Sequence, residues 1–153
     1  MKKLLITFGL ILISLLGYSQ KLGISLSGGY SWVNGVIGTE VHFAHLGVSA
    51  GWFPTSMPLS GDKVSSYSGA LTWYGNQFEK SCMYGSIGIA NAGYRYEDTN
   101  GTSIISPMTI AMLGYRYTGD NGLYTKLGAG YGWADLGSTW TFECIVGYTI
   151  EFF

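Results

Sequence analysis

The chain predicts an all-β fold, an eight-stranded antiparallel up-and-down barrel, and three observations carry that expectation. Its 153 residues are 47% hydrophobic and 16% aromatic, with 24 glycines and only 3 prolines, a mixture that suits strands and tight turns. Segment after segment alternates apolar with small or polar residues at period two, the spacing of a strand with two different faces. Asn-Gly pairs at 34–35, 100–101 and 121–122 punctuate those segments where hairpins need residues with positive φ.

The first element is not part of the fold. Met1 is followed by Lys2 and Lys3, an apolar run from Leu4 to Leu16, and the small residues Gly17 and Ser19. This is the pattern of a secretory signal peptide over 1–19, cut between Ser19 and Gln20, and the run is too short for a bilayer-spanning helix. Neither Cys82 nor Cys144 follows the cut, so no lipid anchor is expected. The barrel domain then covers 20–153. With Lys2 and Lys3 gone it holds 6 basic and 9 acidic residues, a formal net charge of −3 that offers no pull toward nucleic acid.

The strands follow in order. In "LGISLSGGYSW" Leu22, Ile24, Leu26, Tyr30 and Trp32 share one parity against Gly23, Ser25, Ser27, Gly29 and Ser31. "IGTEVHF" sets Ile37, Thr39, Val41 and Phe43 against Gly38, Glu40 and His42. "LGVSAGW" sets Leu46, Val48, Ala50 and Trp52 against glycines and Ser49, and "YSGALTW" sets Tyr67, Leu71 and Trp73 against Ser68, Ala70 and Thr72. Strands five and six lie in 82–96 and 104–117, where the parity blurs; Ile87 and Ile89 sit on one phase and Tyr94 and Tyr96 on the other, which predicts a bulge near Asn91. "LYTKLGAGYGW" and "WTFECIVGYTIEF" complete the eight, with Tyr124 and Lys126 on the polar parity of one and Glu143 and Glu151 on that of the other. The echo of Gly-Tyr-Arg-Tyr at 93–96 and 114–117 reads as one solution to ending a strand used twice, not as a repeat architecture.

The non-apolar parity distinguishes two kinds of barrel. A soluble barrel turns Lys, Glu, Asp and Arg to water. Here that parity is mostly Gly, Ser and Thr, which suits a narrow lumen, and only 11% of the chain is charged against roughly 25% in an average soluble domain. With strand one running upward, Tyr30, Trp32, Trp52, Tyr67, Tyr94, Tyr96, Tyr131, Trp133, Trp140 and Phe142 fall at upper strand ends. Phe43, Trp73, Tyr115, Tyr117, Tyr148 and Phe152 fall at lower ends. Two aromatic belts on an apolar wall are the signature of a transmembrane barrel, and the same orientation puts the long 54–65 connection above and the 44–45 and 119–122 turns below.

With the signal peptide, the even strand count, the belts and the ending "GYTIEF", the chain resembles small outer-membrane β-barrel proteins of the OmpA/OmpX-like superfamily over its whole mature length. The resemblance implies the outer membrane of a Gram-negative bacterium, membrane lipid as surroundings, a monomer, and no cofactor. It also implies that Gly147, Ile150 and Phe152 or Phe153 form the C-terminal signal read by the barrel-assembly machinery.

Eight strands leave an interior that side chains can fill, which argues against a general diffusion pore. The expected lumen network is Glu40, His42, Lys126, Glu143 and Glu151, since buried charges need partners. Lipid A deacylase and palmitoyltransferase barrels have this size, but only His42 and His45 are available as bases, and no serine stands two residues after His42. No enzyme activity is expected. The two histidines are three apart, an odd spacing that sends them to opposite faces of a strand, so no metal site is expected either. Cys82 and Cys144 fall on non-adjacent strands and read as small apolar wall residues. Two roles remain: a structural or interaction barrel of the cell envelope, presenting 54–65 and the Glu97–Ser103 hairpin to a partner, or a soluble periplasmic lipocalin-like barrel with Leu22, Ile24, Leu26, Val146 and Ile150 around an apolar ligand.

Overall fold

The computed structural model describes residues 22–31, 35–53, 66–76, 80–97, 103–134 and 137–152. The expected signal peptide, Trp32, Asn34, the 54–65 connection, the Asn100-Gly101 pair and Phe153 lie outside the described residues, as do the side chains of Tyr94 and Tyr96. The period-two segments all become strands: β1 (Leu22–Ser31), β2 (Ile37–Phe43), β3 (Leu46–Phe53), β4 (Ser66–Tyr74), β5 (Ser81–Glu97), β6 (Ser103–Thr118), β7 (Leu123–Ala134) and β8 (Gly137–Glu151). Each pairs antiparallel with the next, and β8 pairs with β1, so the sheet closes into a barrel with no open edge along its ladder. Register partners followed around the ring from Thr149 run through Ser25, Glu40, Ser49, Ala70, Gly88, Ile110 and Gly132 to Thr139. That path returns ten residues up β8, and a shear of this kind tilts every strand to the barrel axis. A row of partners therefore climbs: Ile110 stands well above Glu40 although both lie in one row.

The apolar parity faces outward. Leu22, Ile24, Leu26, Val41, Val48, Leu71, Ile87, Leu113, Leu127, Val146 and Ile150 are all exposed on the outer wall, Leu26 to 66% and Leu113 to 69%. The upper-belt residues Tyr30, Trp52, Tyr67, Tyr131, Trp133, Trp140 and Phe142 are exposed there too, as are Trp73, Tyr115, Tyr117, Tyr148 and Phe152 of the lower belt. The other parity is buried inside.

The blurred parity of the fifth and sixth strands has a local cause. Ala90 pairs with Met108 but Tyr94 with Ser106, so four steps along β5 match two along β6, and the bulge lies at the expected place near Asn91. Pro107 sits opposite it; proline lacks the N–H that a regular ladder would use, and the bulge absorbs the mismatch. Above the bulge, Tyr94–Glu97 pairs only with Ser103–Ser106 among the described residues, because the β4 ladder ends at Ser68↔Ala90 and the β7 ladder at Thr109↔Trp133. The β5–β6 hairpin thus projects beyond its neighbours as a two-stranded ribbon.

One turn differs from expectation. At Asn121-Gly122 only Gly122 has positive φ, 83°, so the pair is not a type I′ turn. The loop runs from Gly119 to Gly122: the Gly122 N–H donates to the Gly119 carbonyl at 3.0 Å, and the Asn121 Oδ1 accepts from the Leu123 N–H at 3.1 Å. Asparagine serves here through its side chain, which holds a longer turn without a left-handed residue of its own.

Candidate functional site

The lumen is the only place where the fold brings ionisable side chains together from distant strands among the described residues, and it does so because inward positions alternate between large polar groups and glycine. Glu40 on β2 and Lys126 on β7 meet at 2.7 Å, with the Lys126 ammonium donating to Glu40 Oε2. The Tyr74 hydroxyl donates to Glu40 Oε1 at 2.5 Å, and the Arg116 guanidinium lies 3.7 Å from the same oxygen. Arg116 donates from Nη2 to Thr149 at 2.6 Å and from Nε to Thr118 at 3.2 Å, and Thr149 shares a 2.7 Å bond with Ser25 across the β1–β8 seam. Higher up, Glu143 accepts the Tyr84 hydroxyl at 2.5 Å and the Ser31 hydroxyl.

Two carboxylates and two cations are thus interred together, with Arg116 1%, Lys126 2%, Glu143 3% and Glu40 4% exposed. Such charges are tolerated away from water only when paired and hydrogen-bonded, and here they balance among the described lumen residues. Aromatic rings complete the cage. The Arg116 guanidinium sits 4.2 Å from the centroid of Tyr124 and 5.5 Å from that of Tyr74, and the Lys126 ammonium 5.1 and 5.2 Å from Tyr74 and Tyr84.

The inward glycines make this filling possible. A Cβ at Gly114 or Gly128 would collide with the Tyr84 phenol, one at Gly47 would crowd Glu40 and Tyr74, one at Gly23 would overlap the His42 ring, and one at Gly147 would strike Tyr124 and the Leu26 carbonyl. His42, Glu40, Tyr74, Tyr84 and Tyr124 thus each lie over a glycine of another strand, the large-against-small pattern of a filled barrel.

Of the five residues expected in the lumen, Glu40, His42, Lys126 and Glu143 are buried there, and His42 is fully enclosed. Glu151 is a correction: it lies exposed at the lower end of β8, where that strand passes the β6–β7 turn. Arg116, Tyr74 and Tyr84 are members that the sequence reading did not nominate. The signal for Arg116 was present, since Tyr115 and Tyr117 face outward on either side of it and alternation turns it in. Cys82 is also corrected from wall to interior, packed with Tyr74 and Tyr84, whereas Cys144 faces out, and the two are not joined in a disulfide.

Gly147 and Ile150 lie on β8 and Phe152 directly after its end, with Ile150 and Phe152 exposed. Gly147 has a structural reason as well, since only glycine leaves room for the Tyr124 ring beside the seam. His45 sits in the β2–β3 turn, its Nδ1 2.8 Å from the Tyr74 carbonyl and its ring stacked on Trp73 at 6.3 Å.

Below the network, a cavity of about 490 Å³ lies beside the β6–β7 turn, with Thr118 and Thr149, both partners of Arg116, in its lining. Lys80 and Asp120 form an exposed 2.6 Å ion pair at its rim, and that contact holds the Lys80 ammonium above the usual lysine range. No cluster of three or more His, Cys, Asp or Glu side chains placed to hold a metal occurs among the described residues. Chemically, the lumen carboxylates act as acceptors: hydroxyl and cationic donors converge on them, and the arrangement joins β1, β2, β4, β5, β6, β7 and β8 across the barrel axis. Comparison with protein-family models, with curated proteins and with solved structures finds no significant match to this chain.

Proposed function

We propose that the protein is a small integral outer-membrane β-barrel with a structural or interaction role, closed to general diffusion. The observation that carries this reading is the inversion of its two faces. Large aliphatic side chains are exposed on all eight strands, with exposed aromatics above and below, while Glu40, Arg116, Lys126 and Glu143 are enclosed within. A soluble barrel holding an apolar ligand needs the opposite arrangement, with the aliphatics lining the cavity and charges on the wall. The filled interior argues against a porin, and the projecting β5–β6 ribbon is the element best placed to meet a partner on the cell exterior.

Cell fractionation with a heat-modifiability gel tests the reading. The protein is expected in the outer-membrane fraction, migrating faster before boiling than after; recovery in the soluble periplasm without a heat shift would discard it. A single substitution gives an independent check. Leu113→Arg places a charge midway up the wall, and in hydrocarbon it is expected to cost about 2–4 kcal/mol. If urea titrations in lipid and in detergent show a cost within about 0.5 kcal/mol of zero, that wall does not face lipid.

A further inference from the structure

Above the ion-paired group the lumen changes character. Most inward positions there are small, among them Gly88 on β5 and Gly130 and Gly132 on β7, but β6 sends in Met108, Ile110 and Met112 in succession. None of the three is more than 2% exposed. They pack with Ala70 and Ala90, and β7 yields them space: a Cβ at Gly132 would collide with the Met108 thioether, and one at Gly128 would crowd Met112. Among the described residues β6 therefore supplies the apolar bulk of the upper half, beside the Glu143 carboxylate and the Tyr84 and Ser31 hydroxyls bonded to it. The climb of each row with the shear sets Ile110 and Met108 nearer the upper end than Glu40, Lys126 or Arg116.

The surroundings of this ridge are not those of an ordinary apolar core. The hydroxyls of Ser68 and Thr141 are buried on the lumen side with no hydrogen-bond partner among the described residues. Buried hydroxyls without partners are disfavoured, and contact with water relieves them. Methionine is unbranched and has three rotatable bonds, so it is the apolar side chain that withdraws most readily. An apolar constriction of this kind stops ions by excluding water, whereas the lower layer stops them by occupying the lumen with paired charges.

We propose that Met108, Ile110 and Met112 form an outer, hydrophobic seal of the lumen, in series with the inner seal made by Glu40, Lys126 and Arg116. Withdrawal of the thioether side chains wets the level of Ser68 and Thr141 and admits water and small solutes as far as the ion-paired layer. Tightness of the barrel is then a property of two layers of different chemistry, and opening either one alone leaves it closed to ions.

A reporter thiol tests the outer layer in detergent, where the result does not depend on the membrane reading. Ser68→Cys is combined with Cys82→Ala, which removes the buried native thiol, and a charged methanethiosulfonate is the probe; Cys144 is corrected for with the parent lacking Ser68→Cys. Only protein that keeps its heat shift is scored. The reporter is expected to be inert with the ridge intact, to label at least about tenfold faster with Met108→Ala/Met112→Ala, and to stay inert with leucine at both positions. Equal labelling with and without the methionines overturns the outer seal.

Conductance in planar bilayers tests the series arrangement and does rest on the membrane reading. Met108→Ala/Met112→Ala and the charge-balanced Glu40→Ala/Lys126→Ala are each expected to stay silent, and their combination to conduct at least about tenfold more than either. Full conductance from one pair alone, or silence from a combined variant that keeps its heat shift, overturns the two-layer seal. Should the combination lose its heat shift, the labelling experiment decides. Failure of the parent protein to enter bilayers at all would count against the membrane reading instead.

Discussion

Lys126→Met is expected to cost the folded barrel about 3–5 kcal/mol, the largest effect of any single lumen substitution, because it strands a buried carboxylate. Glu40 would keep the Tyr74 hydroxyl and the Arg116 guanidinium, but the latter lies 3.7 Å away against 2.7 Å for the lost ammonium. Arg116 is also committed to Thr149 and Thr118 and stacked near Tyr124, so moving it closer would undo those contacts. The double change Glu40→Gln/Lys126→Met removes both charges and is expected to be milder than Lys126→Met alone, since a pair replaced together leaves nothing uncompensated. Urea midpoints in detergent for the wild type, both single variants and the double variant measure the coupling. A double variant as unstable as the sum of the singles would mean that Glu40 and Lys126 act independently.

Gly147→Val is the second large effect, expected at about 1–3 kcal/mol with slower recovery of the heat-shifted form. Its Cβ would press on two things that move poorly, the Leu26 carbonyl across the seam and the ring of Tyr124 that backs Arg116. Outward glycines behave otherwise: at Gly69 the nearest atom to an added Cβ is the Ser49 carbonyl at 3.6 Å, ordinary contact, so Gly69→Ala is expected to stay within about 0.5 kcal/mol of wild type. Equal tolerance at both positions would show that the lumen side of β8 is not packed. Gly147 also belongs to the C-terminal pattern expected to guide assembly, and the two roles separate experimentally. A packing defect appears in refolding from urea with no cellular machinery present; an assembly defect appears only in the cell.

Much of this architecture was legible along the chain. Strand number, the outward face of every regular strand, the exposed aromatics at both ends of the wall among the described residues and the bulge near Asn91 follow from period-two alternation, which is a local property of each segment. The pattern failed in β6, and for a physical reason: Met108, Ile110 and Met112 face inward while Leu113, Tyr115 and Tyr117 face outward, so both parities are apolar and alternation loses its contrast. Arg116 was hidden in that stretch although its two flanking tyrosines pointed to its direction. Glu151 shows the converse limit, since parity sends it inward but β8 runs past the β6–β7 turn, and an inward direction beyond the end of the wall leads to solvent.

What the sequence by itself determined is which way each side chain points, because adjacent residues of an extended chain must face opposite sides. What only the tertiary structure decided is which side chains meet. Glu40 and Lys126 are 86 residues apart, and Ser25 and Thr149 124 apart. Their encounters depend on closure of β8 onto β1 and on the ten-residue shear that sets the relative height of every strand. Register and shear are properties of the whole ring, shared among eight ladders, and no one segment carries them.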